Sequence, residues 1–261
     1  MNNNKLRSWA ALLFAVLLGL QACGGSGNSR DDDDRPKSPK DAARYNLQLG
    51  MAYLERNELQ FAREKIDRAL QQDSSNPDAH RAAALLYDRV GDFKKAERHY
   101  ETALRLRPND PLILNNYGVF LCRRGKVEKG EGRFLQSAKS PFNQEPENAY
   151  SNAGTCMRGA KRYDEAATYF ERALSVRPKH RDALLQLAEM PFEQQRFDEA
   201  RAGVSRYIER VGVTAEILWL GVRLERAAGN ITQANTYARR LRTEYPTSEQ
   251  TRALIASERT S

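Results

Sequence analysis

Three cysteines and three histidines are the residues of this chain best suited to chemistry, and their spacing decides which chemistry that is. Cys23 follows Leu20-Gln21-Ala22 at the end of an apolar run, a setting in which a thiol can be S-alkylated. Cys122 and Cys156 stand apart in the middle of the chain and form an even pair once Cys23 is set aside. His80, His99 and His180 show no H-E-x-x-H or carboxylate–histidine spacing, so no metal site is expected. The sequence has no P-loop, no dinucleotide-binding glycine fingerprint and no nucleophile elbow. The basic segment 126–133, KVEKGEGR, reads as the solvated start of a helix. Segment 102–108, TALRLRP, alternates Leu and Arg at helical spacing without stacking aromatics, which argues against a nucleic-acid stripe. These residues predict no catalysis, no cofactor beyond a covalent lipid, no nucleic acid and no small-molecule substrate. Attachment at Cys23 and binding to another protein are the remaining chemistry.

Cys23 takes its meaning from the residues before it. Lys5 and Arg7 give a positive start, and residues 9–20, WAALLFAVLLGL, form a twelve-residue apolar core. A membrane span needs roughly 18 or more such residues, so the run reads as a secretory signal. Its ending resembles the bacterial lipobox: Leu, a small residue before the cut, then Cys. That resemblance implies a diacylglyceryl group on the Cys23 thiol and a further acyl chain on its freed amine. Three chains hold a membrane far more firmly than one. A plain secretory cut near Ala22, with Cys23 incidental, is the alternative. Gly24 rather than Asp follows Cys23, which by the same resemblance implies the periplasmic face of the outer membrane. Cleavage removes Lys5 and Arg7, so the formal charge of +8 becomes 8 − 2 = +6. Residues 24–40 carry Gly, Ser, Pro and charge and can bury nothing, so 23–42 is expected to be a lipidated tether. The Asp31–Asp34 run within it reads as solvated.

Beyond the tether the chain repeats. Units begin near residues 43, 77, 111, 147, 181 and 215, with spacings of 34, 34, 36, 34 and 34. A 34-residue period with two amphipathic helices per unit resembles the tetratricopeptide repeat. The expected fold is therefore all-α, a right-handed superhelical solenoid of six helix-turn-helix units, 43–76, 77–110, 111–146, 147–180, 181–214 and 215–248. A signal (1–22) and tether precede them, and a C-terminal cap and tail (249–261) follows. Position 8 of a unit must be small where its two helices cross, and it is Gly50, Ala84, Gly118, Gly154 and Ala188. Position 20 is Ala62, Ala96, Ala166, Ala200 and Ala234, and position 27 is Ala69, Ala103 and Ala173. Asn57, Gly91, Gly125 and Gly229 suit the left-handed turn between helices. Some positions depart from the pattern. Gly130 and Ser137 replace Ala in the third unit, and two extra residues follow near Ser140-Pro141-Phe142. Pro191 falls inside the first helix of the fifth unit, and Arg223 stands where the sixth needs a small residue. Each departure is expected to bend or loosen the solenoid. Thr247 and Gln250 offer a capping box for a last helix carrying Leu254 and Ile255.

Arrays of this kind bind partners along the face lined by the first helix of each unit. Leu47, Met51 and Leu54 recur at i, i+4 and i+7 there, and Leu85, Leu112 and Val119 extend the strip. An apolar strip left in water either marks a partner site or packs against the Tyr45 region. Asn116 and Asn152 share position 6 of their units. Their amides could pair with an extended peptide backbone or make a local structural hydrogen bond. Trp219 is expected to be packed by the cap. Cys122 and Cys156 fall on the first helices of adjacent units, ~8–10 Å apart, where a bridge is possible but not assured.

LNNYGVFLCRRGK (114–126) followed by NAGTCMRG (152–159) is similar to the type IV pilus biogenesis/stability lipoproteins of the pilotin type. The layout of signal, lipobox, tether, six repeats and two cysteines matches as well. The resemblance implies an outer-membrane lipoprotein that binds pilus secretin subunits, and with them other pilus assembly proteins. It would promote their localisation and multimerisation without catalysing a reaction. It also implies that Cys122 and Cys156 are joined. A general periplasmic adaptor for cell-wall or outer-membrane assembly shares the lipobox and repeats and is the alternative.

Overall fold

The computed structural model describes residues 38–259. Six helix pairs follow one another: α1 (Pro39–Glu55) with α2 (Leu59–Gln72), α3 (Pro77–Arg89) with α4 (Phe93–Leu106), and α5 (Pro111–Arg123) with α6 (Val127–Lys139). Then come α7 (Pro146–Gly159) with α8 (Tyr163–Val176), α9 (Arg181–Glu193) with α10 (Phe197–Val211), and α11 (Ala215–Ala227) with α12 (Ile231–Glu244). A last helix, α13 (Glu249–Arg259), closes the array, and no strand occurs among the described residues. Each pair packs on itself, the second helix of each pair packs on the first helix of the next, and α13 packs on α11 and α12.

Local chemistry sets the helix ends. Asn76 and Asp110 each accept two backbone N–H groups from the first turns of α3 and α5, at 2.9–3.2 Å, with Pro77 and Pro111 at the first helical position. The turn inside each pair has one residue with positive φ: Asn57 and the glycines at 91, 125 and 229 do so readily. Lys161 (62°) and Gln195 (59°) adopt it without that help. The Ala residues at positions 20 and 27 are fully buried where helices cross. In the third pair the crossing is closed by Phe134, whose ring lies 2.6 Å from where a Cβ on Gly118 would be, so only glycine fits.

Several expectations need correction. The helical array starts at Pro39, inside the segment assigned to the tether. Ser38 caps α1 by accepting the Asp41 N–H at 3.1 Å, and Pro39 pre-sets the first turn. Gly130 does not loosen the third pair. A Cβ there would lie 2.4 Å from Cys122 Sγ and 3.0 Å from the Gly118 carbonyl, so this crossing is too close even for Ala. Ser137 and the two extra residues also tighten the structure. Ser137 Oγ donates to the Pro111 carbonyl and Ser140 Oγ to the Asn109 carbonyl, both at 2.8 Å, and the Asn143 amide donates to the Ser137 carbonyl at 2.9 Å. Together they tie the α6–α7 loop to the start of α5. Pro191 is buried in the last turn of α9; it removes the bond its own N–H would make to the Leu187 carbonyl, yet the helix runs through it to Glu193, with the Pro191 carbonyl accepting from the Arg196 N–H at 2.8 Å. Arg223 is not at the sixth crossing. Buried Val222 faces Ala238 there, and Gly221 lies against the Tyr237 ring. Ser248, not Thr247, caps α13, accepting the Thr251 N–H at 3.1 Å.

Candidate functional site

The first helices of successive pairs lie side by side, with α5 on α7, α7 on α9 and α9 on α11, so one face carries a side chain from each in turn. The N-terminal part of this face is apolar. Leu47, Met51 and Leu85 are half-buried against the core of the first three pairs, and Leu112 is half exposed. Leu54 departs from the expected strip. It is 3% exposed and belongs to the core, because the end of α1 is covered by α3, whose Arg89 guanidinium donates to the Leu54 carbonyl. Val119 is half-buried beside the junction of α5 and α7.

That junction is cross-linked. Cys122 and Cys156 form a disulfide with Cα atoms 5.7 Å apart. They line a cavity of about 440 Å³ together with Val119, Val127, Phe134 and Thr155. One turn away the Asn152 amide donates to Asn115 Oδ1 at 3.0 Å. Asn152 therefore makes a structural bond between α5 and α7, the alternative to a peptide contact. Its partner is the neighbour of Asn116, because the pairing is set by how the two helices rotate against each other. The Asn116 side chain makes no hydrogen bond with the described residues and stays available.

Beyond α7 the face becomes ionic. Arg158 reaches across to Glu189 (3.2 Å) and Glu193 on α9, and its pKa is raised further by these carboxylates although burial opposes them. Glu189 also meets Arg223 on α11 at 3.5 Å, and the Arg223 guanidinium lies over the rings of Phe192 (5.4 Å) and Trp219 (5.9 Å). Trp219 packs on the cluster that includes Leu254 of α13. Most of these charges pair with one another, although the buried Arg223 Nε has no hydrogen-bond partner among the described residues, and an ion pair between Arg123 and Asp88 joins α5 to α3 as well. Cys23 lies outside the described residues.

Composition gave no hint of a histidine pair. His80 Nδ1 and His99 Nδ1 are 3.0 Å apart, and His80 Nε2 is 3.0 Å from the Ser74 carbonyl. A carbonyl only accepts, so His80 donates through Nε2 and accepts the His99 Nδ1–H. Burial, then His80, Arg98 and Lys95, pushes the His99 pKa down to about 4. The helical offset of 19 residues between positions 4 and 23 of one unit was the only available signal.

A solenoid of helix pairs whose first helices lie side by side along one face has the architecture of a tetratricopeptide-repeat scaffold, and comparison with known proteins agrees. Tetratricopeptide-repeat models match residues 77–110, 99–131, 157–218 and 217–248. The chain belongs to the tetratricopeptide-repeat proteins and is a homologue of the type IV pilus proteins PilF and PilW. It is 29% identical over 239 residues to the type IV pilus assembly protein PilF of Pseudomonas aeruginosa, covering 91% of this chain and 94% of that one. An uncharacterised protein of Haemophilus influenzae is 32% identical over 123 residues, 47% of this chain and 69% of its own length. Among solved structures, PilW, a widely conserved type IV pilus biogenesis factor, superposes with a TM-score of 0.68 at 28% identity, covering 82% of this chain and 98% of PilW. The structure of Pseudomonas aeruginosa PilF gives a TM-score of 0.64 at 27% identity, covering 84% and 99%.

Proposed function

We propose that this protein is a non-catalytic scaffold for type IV pilus assembly. It is held at the periplasmic face of the outer membrane by lipid on Cys23, and it binds secretin subunits to bring them there and help them multimerise. The observation that carries the reading is the likeness to PilF, which extends over 91% of the chain rather than over the repeats alone. Two features support it. The lipobox before Cys23 would supply the anchor, and the open apolar stretch of Leu47, Met51 and Leu85 would supply a contact surface. A clean deletion tests it. Loss of twitching, with secretin left as monomers, is expected. Envelope defects with pili and secretin multimers intact would replace it with a general periplasmic adaptor.

A further inference from the structure

Repeat register shows a second binding surface, on the end of the array rather than along its face. Positions 3, 7 and 11 of each unit are where its first helix receives the second helix of the unit before. In the later units position 3 is Ala79, Ile113, Ala149, Ala183 and Ile217, all at most 1% exposed. At position 7, Tyr117 stacks on Tyr100 of the preceding α4 with ring centroids 5.0 Å apart. In the first unit the same positions are Tyr45, Leu49 and Tyr53, and no described helix precedes them. Tyr45 is 53% exposed. Phe61 is 55% exposed and its ring is 5.4 Å from that of Tyr53, at a position occupied by Lys95, Lys129, Glu165, Glu199 and Gln233 in the other units. The other end of the solenoid is closed by α13, with Leu254 fully buried.

We propose that this end face docks an amphipathic helix of a partner protein, one that copies the second helix of a repeat. The required pattern can be read from the helices that occupy the equivalent place inside the array: a large residue, then Ala and Leu three and four positions on. Tyr100, Ala103 and Leu104 on α4 show it, as do Phe170, Ala173 and Leu174 on α8. Residues 24–37 directly before the array contain no large aliphatic or aromatic side chain, so they cannot supply it, and the apolar stretch 9–20 lies in the segment that export would remove. A partner helix meets the need without distortion, because the same register already accepts one between every pair of units.

The test uses purified mature protein and a labelled synthetic peptide with the sequence of residues 163–177, read by fluorescence anisotropy. Saturable 1:1 binding is expected, weakened at least tenfold by Tyr45→Glu or Phe61→Glu and absent for a scrambled peptide. Both side chains are more than half exposed, so the variants should keep the wild-type circular dichroism and melting curve. A variant that melts early is replaced by Tyr45→Ser. No binding, or equal binding to the Tyr45 and Phe61 variants, overturns the proposal. So does a concentration-dependent dimer in sedimentation that Tyr45→Glu abolishes, since a second copy would then be the occupant. A loss of secretin assembly confined to Met51→Glu leaves this result untouched, so the two surfaces are judged separately.

Discussion

Gly130 shows how one residue can look like a defect in a repeat and be required by a neighbour. Ala at this position would improve helix propensity by about 1 kcal/mol. Its Cβ would meet Cys122 Sγ, which the disulfide prevents from swinging away, and overpacking of this kind costs about 1–3 kcal/mol. Gly130→Ala is therefore expected to lower stability in urea unfolding. Much of that loss should disappear in a Cys122→Ala, Cys156→Ala background, and an equal loss in both backgrounds would refute the steric account. His99 makes a pH-dependent contribution of a different kind. Its folded pKa, about 4, lies below the ordinary 6.5, so the fold favours the neutral ring. That stability is fully present above about pH 6.5 and is lost as pH falls towards 4. Discounted for a ring that is only partly exposed, the loss is about 1–2 kcal/mol. His99→Gln keeps a donor for His80 and should flatten the fall in urea midpoint between pH 6.5 and 4. An unchanged slope would exclude His99 as its source.

At the level of helices, the 34-residue period made the six pairs legible, because position 8 and position 20 are fixed by backbone approach and leave a clear trace in residue size. The start of α1 was less visible. Ser38-Pro39 and Asp41 are a good cap, but they sit in a run of charge and Gly that otherwise reads as tether. Side-chain direction along the groove was only partly legible. Leu54 has the right spacing for the strip, yet its burial depends on α3, and no pattern within one unit encodes how far the next unit overlaps it. The same limit hid the partner of Asn152. The disulfide holds α5 to α7 where the loop between pairs is longer than between any other two pairs. It closes a loop across a sequence separation of 34, for which the chain-entropy model gives about 3–4 kcal/mol. Replacing both Cys122 and Cys156 with Ser should lower stability by about that amount, and wild type in dithiothreitol should unfold at the same midpoint as the variant. A reduced wild type that keeps the oxidised midpoint would show that packing alone holds the junction.

Taken as one body, the solenoid is asymmetric from end to end. Its N-terminal units offer the larger share of exposed apolar side chains, whereas the charges across α7, α9 and α11, like Arg123–Asp88 across α3 and α5, are already paired, so a partner gains little by replacing those pairs. Leu47 and Met51 are half-buried before any partner arrives. Covering each would add about half of the 1.5–3 kcal/mol for a fully buried Leu or Met, enough for several together to matter after association costs. Met51→Glu is expected to reduce secretin multimers while circular dichroism stays that of the wild type, whereas Arg105→Glu on α4 leaves them unchanged. Wild-type multimer levels with folded Met51→Glu would move the contact to Asn116 or off this face. On the proposed function a surface acts only where the chain is held, and Cys23 would set where that is. If its thiol and amine are acylated, only the fourteen residues 24–37 separate the anchor from the array, which keeps the array close to a membrane-bound partner. Cys23→Ala should shift the protein from the membrane pellet to the soluble periplasmic fraction, with fewer secretin multimers although the array is unchanged. Intact mass of the wild-type N-terminal peptide should show diacylglyceryl and acyl additions on Cys23, and an unmodified thiol there would remove the anchor from the mechanism.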